Sequence, residues 1–539
     1  MTRFVISLLA FAGAALGQFA GLGVTGDGAT LYFSTPLRLR GSASPFNHKI
    51  LRYDTQLTEF LSRDTGMSNG HTTENFYDLI AAQPSSDGSI IGISAYRSCY
   101  GGSGCLAVQR YQSTILDRTG KQLFVDYGLV SLSRDGRWGL FYGRDGFGGL
   151  VPATELVNLT TAQATTVPYQ YSFSQRSREV ANDGTVAVVV GSELHLWRTD
   201  GERTLPGASP LPAVYPNDPQ VLISADGRRV VYQTATGLAL YDGTETALTT
   251  TPVTWASISD DGSVIAFVNS ADAQVWMASP LRQLTKEADG MTEIALSGDG
   301  KVVYAATNGG RLLRIDVASA AVTELIPRTP WITGSTSPVV PGSLYQFTGQ
   351  HLSPARVRIG GLDAPVQAST ADQISFQVPW ETPVQDAATF ELISGSSPLE
   401  SPPGTLPVVP FAPGSFTTDF TTLAVHQDFS GLITPTSPAV AGEVIAVYLN
   451  GLGAVAPTVG TGAPGPVPPA VVTAPLRCQF WDGGPNDGHI FFAGLAPGML
   501  GVYQVSVQVP AGLRVTPVSL SCDAGQDTLS VFGLLPVKL

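Results

Sequence analysis

Residues 223–234 read ISADGRRVVYQT: an apolar run, a short polar turn closed by Asp-Gly, and a second apolar run. The phrase returns along the first 330 residues. Asp-Gly pairs begin at Asp27, Asp87, Asp135, Asp183, Asp226, Asp261 and Asp299, and two places earlier stand Thr25, Ser85, Ser133, Ala181, Ser224, Ser259 and Ser297. Asp bonds its own following backbone, and Gly accepts the left-handed conformation that closes a tight hairpin. The flanking runs alternate or are wholly apolar, which predicts buried strands. TWASISDDG, SVIAFVNS, AQVWMAS and RQLTKE supply four such strands, and EIALSGDG, KVVYAATN, RLLRIDV and VTELIP repeat the plan. No helix-period segment follows the first residues. The turns are spaced by 60, 48, 48, 43, 35 and 38 residues, and a period near 40 built of short strands is that of propeller blades. Seven units packed radially bury faces that none buries alone, so an all-β fold with a seven-bladed β-propeller is expected over 18–328. The long first interval has room for a further blade without Asp-Gly.

Composition agrees with many strands and tight turns: 59 Gly and 39 Pro, with 43% hydrophobic residues. The opening MTRFVISLLAFAGAALGQ differs, with Arg3, an apolar run from Phe4 to Ala15, and Ala15-Leu16-Gly17 as a small-x-small cleavage site. It predicts a signal peptide over 1–17, cleaved near Gly17-Gln18, and a periplasmic or extracellular protein. No later stretch has the apolar length of a transmembrane segment. A net charge of −13 without a Lys/Arg cluster argues against nucleic acid and anionic membrane as partners. Cys99, Cys105, Cys478 and Cys522 fit an oxidising compartment. Nearest-neighbour disulfides are 99–105 and 478–522, although four cysteines allow three connectivities. A Cys-x5-Cys is neither a zinc nor a redox spacing.

The Ser224-Ala225-Asp226-Gly227 turn followed by Val230-Val231-Tyr232 resembles TolB-like and WD40-like propellers. That resemblance implies a scaffold and, in most of its members, a platform for partners. After IPRTPWITGSTSPVVPG the period is lost; 329–342 reads as a linker. PGSLYQFTGQHLS, VRIGGLDAPV and DQISFQVP read as an Ig/TIG-like β-sandwich over 343–411, with the prolines from Pro398 to Pro413 as a stiff connector. A second sandwich part covers 412–539. DQISFQVPWE, VVPFAPGSFT, YLNGLGAVAP and GLAPGMLGVYQVSVQVPAGL resemble a C-terminal domain of exported acidobacterial proteins of the Solibacter type. What this implies is an extracytoplasmic Ig/TIG-like module joined to varied N-terminal domains, with no chemistry attached. LRCQFWDGGPNDGHI departs from that pattern by carrying Cys478, and a disulfide to Cys522 would tie this hairpin to the last strands.

Catalytic motifs are missing from the sequence. GGSGC at 101–105 fails the Gly-x-Ser-x-Gly elbow at its last position. There is no His-Glu-x-x-His, phosphate loop or dinucleotide fingerprint. His48, His71, His195, His351, His426 and His489 show no metal-ligand spacing, and His195 reads as a packed or edge residue. Asp482 and Asp487 lack the dense acidic run of a calcium loop, so no metal and no cofactor are expected. The candidate site follows from loop length. First-to-second turns of four-stranded blades share one face, and the long connections of blades one to three fall on the other. PLRLRGSASPFNH, GMSNGHTTENFYD, YRSCYGGSGC and GRDGFGGLVP bring Arg38, Arg40, His48, His71, Tyr96, Arg97, Tyr100, Arg144 and Asp145 to that rim. Loops on a rigid scaffold are where binding resides. The expected function is non-enzymatic binding of an envelope protein, peptide or glycan. The rivals are a propeller-type polysaccharide lyase or hydrolase, centred on the arginines with His48 and His71, and a surface adhesion protein.

Overall fold

The computed structural model describes residues 18–42, 48–62, 74–100, 110–126, 128–144, 150–168, 178–211, 219–334, 337–418, 421–523 and 530–539. Every element among them is a β-strand, and among the described residues no helix is long and apolar enough to cross a membrane. The chain divides into two compact units: Met1–Arg328 with Ser397–Leu399, and Thr329–Ser396 with Glu400–Leu539.

Among its described residues the first unit holds seven four-stranded antiparallel sheets in simple chain order. Their leading strands are Ala20–Val24, Glu74–Pro84, Leu129–Leu132, Arg178–Val180, Val221–Ile223, Val253–Ile258 and Met291–Leu296. Apolar clusters lie between consecutive sheets. Tyr32 and Ile50 pack on Ala82 and Ile91, Ile115 packs on Leu129 and Phe141, and so on to Ala266 and Met277 against Leu296 and Val303. Burial falls from second to fourth strand within a sheet: Val302–Thr307 is wholly buried, whereas Val322–Ile326 is mostly exposed. That gradient is what radial packing produces, because neighbouring sheets crowd the leading strands and diverge around the fourth.

Polar side chains bind the backbone of the next sheet. Gln83 Oε1 accepts from Leu132 N–H, Ser131 Oγ from Val180, Glu179 Oε2 from Ile223, Gln220 Oε1 from Ala256, and Ser257 Oγ from Leu296. The last sheet then meets the first, where Glu293 accepts from Gly21 N–H at 2.9 Å and Leu22 N–H at 2.7 Å. Between the first and second sheets a glycine is required. A Cβ on Gly23 would lie 2.0 Å from the Ala82 carbonyl oxygen.

The second unit contains two pairs of sheets, each enclosing its own core. In the first pair, Phe347 packs on Phe376 and Phe390 at ring separations of 5.0 and 4.7 Å, among Val357, Ile374 and Leu406. The structure corrects two expectations here. Trp331–Ile332, inside the expected linker, pairs with Leu344–Gln350. Gly404–Val408, inside the expected proline connector, pairs with Gln385–Ser394. Proline is tolerated there because this strand is at a sheet edge. In the second pair, Val444–Asn450 and Tyr503–Gln508 lie side by side in one sheet, and Arg477–Trp481 and Val518–Asp523 in the other. Cys478 and Cys522 stand directly opposite each other on the latter two strands and form a disulfide in the core. Cys105 lies outside the described residues.

Candidate functional site

The seven repeated aspartates are turn residues. Six turns share one device: the Thr or Ser hydroxyl donates to the aspartate Oδ1 at 2.6–2.7 Å and accepts the N–H five residues ahead of it. The same Oδ1 accepts from the N–H two residues on, as at Ser89 and Ser263. Each hydroxyl and each Oδ1 is therefore engaged within its own turn. The Ser85 and Ser259 hydroxyls hold Asp87 and Asp261 below the usual carboxylate range. For Asp226 and Asp299 burial pushes upward, and the hydrogen bonds led by Ser224 and Ser297 outweigh it. The fourth turn explains its own exception. Ala181 N–H bonds the Thr185 carbonyl, four residues on rather than five, and Val180 pairs with Val186 where Ile223 pairs with Val230. This turn is one residue shorter, and it is the one that lacks the hydroxyl.

The residue between hydroxyl and aspartate links each sheet to the next. Gly26 N–H donates to Ser86 O, Ser86 N–H to Arg134 O, and Asp135 N–H to Asn182 Oδ1. Asn182 N–H then donates to Ala225 O, Ala225 to Asp260 O, Asp260 to Gly298 O, and Asp299 N–H returns to Gly26 O at 2.7 Å. The bonds form a closed ring. Side chains also cross it: Ser86 Oγ donates to Asp260 Oδ2 at 2.5 Å, and Arg134 lies 3.8 Å from Asp260 Oδ1 and 3.6 Å from Glu179 Oε1. Burial pushes the Glu179 carboxyl up, against the pull of Arg134 and the Ile223 N–H. This end of the unit is uniform and braced.

The opposite end varies. Glu74–Pro84 and Ile90–Tyr100 run for 11 residues each, against 3 and 4 for Val221–Ile223 and Val230–Gln233. Tyr96, Arg97 and Tyr100, expected in a loop, lie on an extended strand, with Arg97 opposite Tyr77 on one side and Arg110 on the other. At about 3.3 Å per residue, they sit some way past the ends of the shorter sheets. Arg144 closes the ladder of the third sheet, opposite Leu150. His71 and Asp145 lie outside the described residues. Arg40 N–H bonds Pro398 O at 2.9 Å and its guanidinium bonds Ser397 O at 2.6 Å, so it holds backbone within the first unit. His48 Nδ1 is 3.4 Å from Ser34 Oγ. Beside it the sequence hid a group: Lys49 is fully buried, and burial pushes its pKa down, opposed by Glu59 and assisted by Arg38. A lone Lys in a strand gives no signal of this, because its burial depends on the non-local packing of the sheet.

Other candidates resolve as structure. His195 Nδ1–H donates to Glu202 at 2.6 Å from a buried strand position. Asp482 accepts from Asn486 and Arg514, and Asp487 from Arg477 and Gln479. Asp482 is engaged through both oxygens and Asp487 through its Oδ1.

No protein-family model matches the chain, and no curated protein matches it. Solved structures with a similar fold include a mitotic checkpoint complex (TM-score 0.37, 13% identity, 56% of this chain and 87% of that one). The WD40 repeats of RRP9 give 0.36 and 10%, covering 54% and 88%. Hydrazine synthase of Kuenenia stuttgartiensis gives 0.36 and 12%, covering 58% and 99%. Likenesses of this size add nothing to the geometry of the ring, which stands by itself. The first unit has the plan of a β-propeller.

Proposed function

We propose that the chain is an exported binding or scaffold protein whose first unit, a closed seven-bladed propeller over 18–328, serves as a platform without chemistry of its own. Ig/TIG-like sandwiches of the acidobacterial type follow it over 343–411 and 412–539. Its partner is a protein, peptide or glycan of the cell envelope. The observation that carries this reading is the contrast between the two ends of the sheets. The Asp-Gly end spends its polar groups on the ring and its cross-braces, while the other end extends strands in the second and third sheets. Binding is assigned to that extended end, around Tyr96, Arg97, Tyr100 and Arg144.

The test is affinity capture from envelope extract with the full chain, followed by the double variant Arg97→Ala, Arg144→Ala and, at the opposite end, Arg228→Ala. Arg228 is exposed on its turn. Loss of the captured component with the first variant alone supports the platform reading. Loss with Arg228→Ala alone contradicts it. Export is checked separately: the mature protein begins at Gln18 and is recovered outside the cytoplasm.

A further inference from the structure

The second unit carries a cluster that the platform reading does not use. Ala424–Val425 pairs with Val444–Asn450, which brings His426 beside the end of that strand, where Glu443 precedes it. A tight turn, in which Ser437 N–H bonds Thr434 O, returns the chain to the same place. His426 Nδ1 is 2.6 Å from Glu443 Oε1, and His426 Nε2 is 3.1 Å from Ser437 Oγ. A carboxylate only accepts, so Nδ1 carries the proton and Nε2 is left to accept from the serine hydroxyl. Glu443 is fixed in turn, because its Oε2 accepts the Val440 N–H at 2.9 Å. Burial is graded as acyl transfer needs: the Glu443 side chain is 13% exposed, that of His426 18%, and Ser437 faces solvent.

The three residues line an open depression of about 760 Å³, together with Gln427, Asp428 and Val440. Val440 and Pro438 are the apolar residues of its lining, and two further exposed apolar residues, Phe429 and Leu432, are near it in the sequence. Phe429 is 62% exposed, Leu432 49% and Val440 44%. Phe429 also has a φ of 57°, held by its N–H bond to the His426 carbonyl. A bulky residue is an outlier in this conformation, and such strain gathers where a side chain must be presented.

We propose that Ser437, His426 and Glu443 form a serine-nucleophile site that hydrolyses esters of small apolar acyl groups. Ser437 Oγ attacks the ester carbonyl carbon as its proton passes to His426 Nε2, and Glu443 steadies the imidazolium. The bond to the alcohol oxygen breaks, and the alcohol leaves with that proton. Water then adds to the acyl-serine, His426 takes one of its protons and returns it to Ser437 Oγ, and the carboxylic acid departs. Pro438 has no N–H to offer the oxyanion, so the Gln427 carboxamide is the donor in this depression. The acyl group lies on Val440 and Pro438, the apolar residues of the lining, with Phe429 set between the lining residues Asp428 and Ser430.

The full-length protein, treated with a fluorophosphonate probe and digested for peptide mass spectrometry, is expected to carry the phosphonyl group on Ser437. With p-nitrophenyl butyrate, Ser437→Ala and His426→Gln are each expected to lower hydrolysis at least about 100-fold at an unchanged melting temperature. Phe429→Ala is expected to lower the rate on butyrate relative to acetate by about 3–10-fold. No labelling at Ser437, or a Ser437→Ala protein that keeps the parental rate, overturns the proposal. The labelling arm uses the unaltered chain, so it decides even if a variant fails to fold. Neither result bears on capture through Arg97 and Arg144.

Discussion

The two ends of the propeller sheets are built by opposite rules. At the Asp-Gly end, Ser85, Ser133, Ser224, Ser259 and Ser297 are fully buried, and Thr25 nearly so, each with its hydroxyl donating to its own aspartate and accepting a backbone N–H. At the other end the sheets differ in length, and Arg97 and Arg144 stand on backbone that the shorter sheets lack. Repetition is therefore a sign of load shared equally around a ring. An aspartate held by the same hydroxyl and backbone N–H in six of the seven turns has little freedom to serve one ligand.

The contrast breaks first at the closure. Glu293 is the group through which the last sheet accepts two N–H groups of the first. Glu293→Ala leaves both without that acceptor and is expected to cost about 2–4 kcal/mol in urea unfolding. A change within 0.5 kcal/mol would show that closure does not depend on it. Reduction of the Cys478–Cys522 bridge, 44 residues apart, is expected to cost about 2–4 kcal/mol. That loss should fall on the second unit, leaving propeller unfolding in place.

The far end of the last sheet offers a finer test. There Asp289 meets Arg311 and Arg328, and Glu287 and Glu324 also reach Arg311. Burial pushes the Asp289 carboxyl up, but Arg311, Thr307 and Arg328 outweigh it and hold it down to about 2. A carboxylate depressed by folding stabilises above its unfolded pKa, near 4, and that contribution drains away as pH falls toward 2. Asp289→Asn is expected to flatten the stability profile between pH 4 and 2 by about 1–2 kcal/mol. A profile unchanged in that window would remove Asp289 from the network. So not all of this end is free: the last sheet is locked there, and the second and third extend.

Two turn variants sharpen the comparison further. Ser297→Ala removes a hydroxyl that both donates and accepts, at an expected cost of about 1–2 kcal/mol. Ala181→Ser, in the shortened turn, is expected to gain less than about 0.5 kcal/mol, because the N–H five residues ahead is no longer presented as in the other six. Equal and opposite effects would mean that the hydroxyl acts independently of turn length.

Strand order in the first unit was legible because the Asp-Gly turn is local: its residue types, spacing and apolar flanks all lie within twelve positions. The strands at Trp331–Ile332 and Gly404–Val408 were not, because proline-rich segments become strand only by pairing at an edge across distant sequence. The same holds for the site. That Arg97 lies on an extended strand rather than a loop depends on pairing with Tyr77 and Arg110, and that Arg40 serves Ser397 is a contact over 357 positions. His426, Ser437 and Glu443 match no spacing motif, since a turn and a strand pair, rather than one element, assemble them. Cys478 stood out because a thiol departs visibly from an apolar strand pattern.

The assignment of binding to the end away from the repeats is tested most directly by photo-cross-linking in intact cells. A benzoyl-phenylalanine in place of Arg97 is compared with one in place of Arg228, in otherwise unaltered full-length protein. A discrete adduct from position 97 and none from position 228 is the expected result. An adduct from position 228 alone would place the partner on the Asp-Gly face and contradict it.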